Sequence, residues 1–311
     1  MRRRDVFAGV GASILTASRA LAQNRARIGW LTVAPHPGLR AFLDGMRGLG
    51  WLEADTLVVE YAYAEGRPER LVDLANALAR GGVQLVVASG SDAVVAARSA
   101  IMVKPVVAVS SGTAISVRPP GNFTGIELLF DQTAAKWVEA LAELVPPSSR
   151  LGVIHDSSSS NREQSETVHQ AAGALRHEAV PLPIENVDGI AQAIDSARQD
   201  GLAALIFVSS PIFTAEAARI AELVRTSGLP AIFESRWIVE KGGLMAYGPD
   251  FDAVFRRAAS LTDRILRGAR PTDLPIERPT KFHFSLNRAT ARALNIELPT
   301  SLLLRADEVI E

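Results

Sequence analysis

Residues 83–96, with the sequence VQLVVASGSDAVVA, decide the fold of this chain. The unbroken apolar run, rich in β-branched residues, predicts a strand buried on both faces, as in a parallel sheet. The Ser-Gly-Ser-Asp turn at 89–92 predicts the start of a helix, because Ser91 or Asp92 can cap its free backbone N–H groups. Ligands of open α/β sheets bind at the carboxyl ends of the strands, so this turn is a candidate ligand site.

The same pattern of strand, turn and helix repeats along the chain. Further apolar strands that end in polar or Pro/Gly turns are predicted at 27–33, 57–63 and 105–109. A second series is predicted from about residue 131, with strands at 151–155, 180–184, 203–208, 231–233 and 244–247. This alternation predicts parallel sheets with right-handed crossovers. We therefore predict an α/β fold of two Rossmann-like, doubly wound lobes joined by a hinge, with function in the cleft between them.

The boundaries between the lobes are predicted from breaks in this rhythm. Residues 117–125 (VRPPGNFTG) carry two prolines and two glycines and are interpreted as the first crossing between lobes. The predicted lobes are 23–119 plus about 250–270, and 120–249 plus about 271–311. Gly121 to Gly125 and Gly248-Pro249 are expected to absorb the backbone change of a hinge closure.

The amino terminus has the pattern of a secretory signal peptide. Arg2, Arg3 and Arg4 precede an apolar run at 6–15, and residues 20–22 (ALA) supply an A-x-A cleavage site. We predict a signal peptide at 1–22, cleavage after Ala22 and a soluble periplasmic mature protein. The arginines also fit the twin-arginine export route, so the route stays open. No later stretch reaches the length of a membrane span.

The composition and the motif content narrow the chemistry. With 48% hydrophobic and 22% charged residues, the 311-residue chain is globular and long enough for two domains. A formal net charge of −1 gives no basic field, so no nucleic-acid partner is expected. The chain has no cysteine, and its five histidines lack metal-ligand spacing. No nucleotide-binding glycine motif follows a predicted strand. We therefore expect no metal and no cofactor.

Hydroxyl-bearing turns at several strand ends are the candidate ligand site. Ser89-Gly90-Ser91 has its glycine in the wrong place for a nucleophile elbow, so no catalytic residue is predicted. Hydroxyls at helix amino termini suit a carboxylate or another small anion, and an acid in the cleft can neutralise a ligand ammonium. For any one of these residues, ordinary helix capping is an equal alternative.

The predicted ligand-binding residues are Ser89, Gly90, Ser91, Asp92, Ser110, Ser111, His155, Ser157, Ser209, Ser210, Glu234 and Tyr247. His155 is included because it ends a buried strand and is expected to face the cleft. Tyr247 and Trp237 offer apolar faces to a ligand, although core packing is the alternative for both and is slightly favoured for Trp237.

The closing segments carry a family resemblance. The carboxyl end of the TrpX-like solute-binding proteins of ABC importers is similar to 279–287 (PTKFHFSLN), 290–294 (TARAL) and 302–311 (LLLRADEVIE). Other family motifs resemble 242–249 (GGLMAYGP), 121–125 (GNFTG) and 64–67 (AEGR). The resemblance implies a type I periplasmic binding protein, of the branched-chain amino-acid type, with two lobes and three crossings. Such a protein closes on a small-molecule ligand and docks on ABC permease membrane subunits, and aromatic amino acids are the ligands best associated with it.

Two loops depart from the family pattern. The segment 110–117 is shorter than the G-D-P-V-G-rich loop of relatives, and Pro119-Pro120 replaces part of the next turn. His155-Asp156 and four serines stand where relatives tend to have an Asn-Pro-type loop. Both loops lie at strand ends that face the predicted cleft. The function of the family therefore carries over better than the identity of its ligand.

The leading hypothesis is a non-enzymatic, monomeric periplasmic binding protein that closes on an amino acid or a related carboxylate. A two-lobed hydrolase or isomerase with Asp156 or Glu234 as base stays open. It requires a pair of carboxylates or a Ser/His pair within hydrogen-bond reach in the cleft. A sensor that presents its ligand to a membrane receptor shares all of these sequence features, so it also stays open.

Overall fold

The computed structural model describes residues 25–111, 121–128 and 131–311, and these form two sheets with helices on their faces. The α/β class with two doubly wound lobes is confirmed. The predicted signal peptide lies outside the described residues. Within the described ranges, no helix is both long enough and apolar enough to cross a membrane.

The first sheet has six parallel strands in the part of the chain that is described. They are β1 (Ala26–Thr32), β2 (Leu57–Tyr63), β3 (Leu85–Ser89), β4 (Val106–Ser111), β5 (Phe123–Leu128) and β11 (Ile276–Glu277). Their order across the sheet is β2-β1-β3-β4-β5-β11. All residues of β3, β4 and β5 are buried, and the apolar runs of β3 and β4 predict this for those two strands.

Helices cover both faces of the first sheet, because alternate residues of its strands are apolar on opposite faces. On one face lie α1 (Gly38–Gly48) and α10 (Phe251–Leu266), which pack against Trp30, Val87 and Val107. On the other lie α2 (Leu71–Arg80) and α3 (Ser91–Ala100), beside Leu31, Val86 and Ala88. A short 3₁₀ helix at Pro68–Arg70 precedes α2, and another lies at Pro271–Asp273.

The second sheet has seven strands among the described residues. They are β6 (Arg150–Asp156), β7 (Glu178–Ile184), β8 (Ala204–Phe207), β9 (Ala231–Phe233), β10 (Met245–Pro249), β12 (Phe282–Asn287) and β13 (Glu308–Ile310). Their order is β7-β6-β8-β9-β10-β12-β13, and only the β10–β12 pair is antiparallel within this described sheet. The accompanying helices are α4 (Asp131–Ala142), α5 (Ser159–Ala174), α6 (Gly189–Gln199), α7 (Pro211–Ala215), α8 (Ala217–Ser227), α9 (Arg236–Val239), α11 (Arg288–Ala293) and α12 (Thr300–Arg305).

The chain passes between the lobes three times. It leaves the first sheet after Leu128 and continues in the second lobe from Asp131. It returns at Asp250, between β10 and α10, and crosses finally through 278–281, between β11 and β12. Gly248-Pro249, predicted as one of the crossings, are the last residues of β10 and directly precede the crossing at Asp250. Each lobe is thus built from separated segments of the sequence.

Strands β5 and β11 lie in the first sheet, whereas the sequence-based boundaries placed both in the second lobe. Gly121 to Gly125 therefore lead into a buried strand and do not form a crossing. A Cβ on Gly125 would lie 1.9 Å from the carbonyl oxygen of Ala108 on β4. The glycine in this Pro/Gly-rich segment serves the close approach of two strands, and the sequence alone does not separate that role from a hinge.

Candidate ligand-binding cleft

A cavity of about 690 Å³, including the solvent at its mouth, lies between the carboxyl ends of the two sheets and is lined by both lobes. This is the place where open α/β sheets bind ligands. The sequence-predicted residues that line it are Ser89, Gly90, Ser91, Asp92, Ser111, Ser209, Ser210 and Glu234.

Two other predicted residues are buried beside the cavity without lining it. Ser110 is 1% exposed, and its hydroxyl lies 3.1 Å from the carbonyl oxygen of Ser111 and 3.3 Å from Ser91 Oγ. His155 was expected to face the cleft, but its ring contacts the carbonyl oxygen of Asp156 through Nδ1 at 2.9 Å. Successive side chains of a strand point to opposite faces, and the next residue, Asp156, lines the cavity instead.

The last two predicted residues lie outside the cavity lining. Ser157 is exposed on the loop before α5. The Tyr247 ring on β10 stacks on Phe282 of the neighbouring strand β12, with ring centroids 6.0 Å apart, and contacts Phe284. Tyr247 thus packs along the second sheet. Its apolar face is used by the protein itself.

His36 lines the cavity, and sequence reasoning did not select it. It lies in the loop after β1, where two flanking prolines gave no sign of which way the loop folds. The Gly38 backbone N–H donates to His36 Nδ1 at 3.2 Å, so the proton of the neutral ring is on Nε2. Burial lowers the pKa of His36 to about 4, which keeps the ring neutral.

Ser89 and His36 form a hydrogen-bonded pair, with Ser89 Oγ 3.0 Å from His36 Nε2. Because Nε2 carries the proton, the ring donates to the hydroxyl oxygen. The hydroxyl proton of Ser89 is therefore left to donate into the cavity. A ring in this tautomer holds the hydroxyl in place but has no lone pair with which to take its proton.

Asp156 is held by hydrogen bonds within the second lobe. It is 8% exposed. Its Oδ2 accepts from the Ser210 hydroxyl at 2.8 Å, and its Oδ1 accepts from the Ser158 backbone N–H at 2.9 Å. Ser210 Oγ in turn accepts from the backbone N–H of Ile212 and so caps α7. This carboxylate fixes the loops after β6 and β8 to each other.

Glu234 and Asn161 line the cavity, and each has a buried acceptor atom without a partner. Glu234 is 6% exposed and Asn161 is 4% exposed. Glu234 Oε1 and Asn161 Oδ1 are buried without a hydrogen-bond partner, although the Asn161 Nδ2 group donates to the Ser209 carbonyl at 2.9 Å. Burial raises the pKa of Glu234 to about 8, and a hydrogen bond with Ser209 opposes that shift. A buried acceptor without a partner is costly, so this end of the cavity is suited to a hydrogen-bond donor.

Asp92 brings a third carboxyl group to the cavity, from the first turn of α3. Burial, together with the nearby carboxylate of Asp156, raises the pKa of Asp92 to about 6. Both causes penalise negative charge at this point. No group of His, Cys, Asp and Glu side chains within 25–111, 121–128 and 131–311 is arranged to hold a metal ion.

An aromatic wall closes the other side of the cavity. Trp237 on α9 of the second lobe lies with its ring centroid 6.5 Å from His36 and 6.4 Å from Phe255, both of the first lobe. Phe251, at the start of α10, lies 5.4 Å from Trp237. The wall therefore combines both lobes, and Trp237 both lines the cavity and packs in the buried core.

The lobes touch across the mouth of the cavity. Ser91 Oγ lies 3.2 Å from Ser160 Oγ on α5, and both hydroxyls hydrogen-bond the carbonyl oxygen of Ser111. Gly90 has a φ of +94°, and a Cβ there would lie 2.8 Å from Cγ of Pro211. The turn between β3 and α3 of the first lobe thus contacts the starts of α5 and α7 of the second lobe. This is the geometry of a closed cleft.

The model of a protein family, ABC transporter substrate binding protein, matches residues 29–310. The chain belongs to this family. Proteins of the family bind small ligands and work with the membrane permease subunits of ABC transporters. A comparison with curated protein sequences finds no match.

Solved structures share the fold of this substrate-binding protein. A conserved domain protein from Vibrio cholerae has a TM-score of 0.83 at 21% identity, covering 91% of this chain and 99% of its own. An ABC domain in complex with L-Trp from Streptococcus pneumonia has a TM-score of 0.79 at 22% identity, covering 91% and 100%. A ligand-free, open substrate-binding protein with adhesive properties from Clostridium difficile has a TM-score of 0.61 at 19% identity, covering 92% and 99%.

Proposed function

We propose that this substrate-binding protein closes on a small ligand with an amino group and an apolar body, and delivers it to the permease of an ABC importer. The single observation that carries the proposal is the buried, unpartnered Glu234 Oε1 at the polar end of a cavity shared by both lobes. Amino acids, including aromatic ones, and simple amines belong to this ligand class. We also propose that the protein acts in the periplasm as a monomer, after removal of residues 1–22.

The amino group is assigned to the end of the cavity that holds Glu234 and Asn161. An ammonium donates up to three hydrogen bonds, and charge-assisted bonds to a carboxylate are about twice as strong as neutral ones. Its positive charge favours the ionised form of Glu234 and so offsets the burial that raises the pKa of this group. Ligand binding thereby removes the unsatisfied acceptor.

The apolar body is assigned to the wall formed by Trp237, Phe251 and Phe255. These rings come from both lobes, so a ligand that lies against them contacts both at once. Burial of an apolar group stabilises the closed form by about 25 cal/mol per Å² of surface removed from water. The three crossings are short, and they supply the hinge about which the lobes close.

A hydrolase that uses Ser89 and His36 is the second candidate, because the two side chains are 3.0 Å apart. A serine nucleophile requires a histidine that accepts its proton. Here Nδ1 accepts from Gly38, so Nε2 is protonated and donates to Ser89. Asp156, one of the two carboxylates predicted as the base of such an enzyme, has both oxygens engaged by Ser158 and Ser210. These contacts favour binding without chemistry.

A thermal-shift screen of the purified protein tests the proposal, with amino acids, amines, small carboxylates and sugars in the panel. We expect an amine-bearing compound with an apolar body to raise the melting temperature, and mass spectrometry to recover that compound unchanged. Chemical conversion of the bound compound would favour the hydrolase. If sugars or simple acids stabilise the protein and no amine does, the assignment of Glu234 to the ligand is wrong.

A further inference from the structure

The polar end of the cleft is rich in acceptors and poor in donors. Acceptor atoms of Asp92, Asn161 and Glu234 come from the two lobes to one cavity. Two of them, Asn161 Oδ1 and Glu234 Oε1, are buried with no partner in the protein. A buried acceptor of this kind is satisfied only by a group that brings hydrogen with it.

The hydroxyl donors of the cleft are mostly engaged within the protein. Ser91 donates to the carbonyl oxygen of Ser111 at 2.9 Å, and Ser210 donates to Asp156 at 2.8 Å. Ser209 is bonded to the carboxyl group of Glu234. Ser89 keeps a proton for the ligand, because His36 donates to its oxygen. A carboxylate needs several donors at once, and this set does not offer them.

Positive charge is missing from the described lining of the cavity, which contains no lysine or arginine. His36 also lines it, but both ring nitrogens are engaged and the ring is neutral. The amino terminus of α3 would favour an anion through its free N–H groups. Asp92 lies in that first turn and places its own carboxyl group there.

We infer that the cleft selects a cationic amine over the zwitterionic amino acid of the same size and shape. This inference rests on the proposed function and narrows its ligand class. It differs from the sequence-based expectation of an amino acid or related carboxylate, which relied on the hydroxyls at the strand ends and on the family resemblance. The carboxylate of a bound amino acid would lie in a closed site whose described lining supplies acidic side chains and no lysine or arginine, and desolvation of such a charge is costly.

Three matched ligand series test the inference, each keeping one apolar body and changing only the charged groups. They are 2-phenylethylamine, L-phenylalanine and 3-phenylpropionate; tryptamine, L-tryptophan and indole-3-propionate; and 3-methylbutylamine, L-leucine and 4-methylpentanoate. Isothermal titration of the purified protein at pH 8 gives the dissociation constants. In the series whose body fits the aromatic wall, we expect the amine to bind at least tenfold more tightly than the amino acid, and the carboxylate most weakly.

The outcomes separate this inference from the proposed function. If an amino acid binds as tightly as its amine or more tightly, the selection for a net cation is overturned while the proposed function stands. If a carboxylate binds most tightly, or no member of any series binds, both are wrong.

A variant pair locates the selection in the cleft. Glu234→Gln keeps the size of the side chain and is expected to weaken amine binding at least tenfold and to narrow the gap between amine and amino acid. Asp263→Asn is the matched control, because Asp263 is a buried carboxylate of α10 outside the cavity that hydrogen-bonds Trp51 and Arg267. The control should leave the gap unchanged. A gap that persists in a folded Glu234→Gln protein would overturn the inference.

Discussion

Asp156 and Glu234 are two carboxyl groups at strand ends of the same sheet, and their surroundings differ. Both line the cleft, and both are almost fully buried, at 8% and 6% exposed. Asp156 accepts hydrogen bonds from Ser210 and Ser158, whereas Oε1 of Glu234 has no partner. Burial therefore does not distinguish the two carboxyl groups, and their hydrogen-bond partners do.

The adjacent serines of the loop after β8 divide between these two carboxyl groups. Ser210 donates to Asp156 and caps α7, and Ser209 bonds to Glu234. One loop thus satisfies Asp156 and leaves one oxygen of Glu234 without a partner. Substitutions of Asp156 and Ser210 are expected to lower the stability of the fold, whereas substitutions of Glu234 and Ser209 are expected to weaken ligand binding.

Asp156→Ala should give the largest effect on stability. It removes two hydrogen bonds to a buried charge, each worth about 1.5 to 3 kcal/mol, and leaves the Ser210 hydroxyl and the Ser158 N–H without their acceptor. We expect a loss of about 4 kcal/mol in the free energy of unfolding, measured by urea denaturation. An unchanged midpoint would show that Asp156 is no more structural than Glu234.

Glu234→Gln should stabilise the ligand-free protein at high pH. The pKa of Glu234 in the folded protein is about 8, against 4.5 for the ordinary group, so burial favours the neutral acid. This contribution is complete below pH 4.5 and is lost as the pH rises from 4.5 to 8. The variant has no such loss, and we expect it to be more stable by about 3 kcal/mol at pH 7. At pH 4 its unfolding free energy should equal that of the wild type.

The affinity for an amine should depend on pH through the same carboxyl group. The ligand requires ionised Glu234. The pKa of this group is about 8, so at a lower pH it must lose its proton before the amine binds. We expect the dissociation constant of the best amine to rise about tenfold between pH 9 and pH 7, measured by titration calorimetry. The same titration with Glu234→Gln should give a flat profile. A profile that is flat in the wild type as well would remove Glu234 from ligand binding.

Ser210→Ala and Ser209→Ala should give the smallest effects, and the two substitutions should differ in whether stability or amine affinity changes. Ser210→Ala removes a donor to Asp156 and the cap of α7, so we expect a loss of about 1 to 2 kcal/mol in unfolding free energy. Ser209→Ala removes a bond that lowers the pKa of Glu234, so amine affinity at pH 7 should fall while stability changes little. Equal effects of the two substitutions on stability and on affinity would contradict the division of roles.

Much of the cleft was predictable from local sequence. The turn after β3 and the serines after β4 and β8 were identified because strands of a parallel sheet end at one edge, and eight predicted residues line the cavity. The sequence was less informative about which face of a strand each side chain lies on. His155 and Asp156 are adjacent, and the alternation of side chains along β6 decides which one lines the cavity.

Residues that reach the cleft from outside the strand ends were not predictable. His36, Phe251 and Phe255 line the cavity because the loop after β1 and the first turns of α10 fold over it. The two prolines beside His36 predict a loop, but they do not show that this loop folds over the cavity. Asn161 lies on α5, where its position in the helix does not show that its amide oxygen lacks a partner.

By itself, the sequence determined the α/β class, the alternation of strands and helices, and the polar turns that start the helices, because these depend on local hydrophobic pattern and capping. Only the tertiary structure decided which lobe holds β5 and β11, since strand pairing joins segments far apart in the chain. It also decided that Asp156 is satisfied and Glu234 is not. That difference depends on which donors the folded loops bring within hydrogen-bond distance.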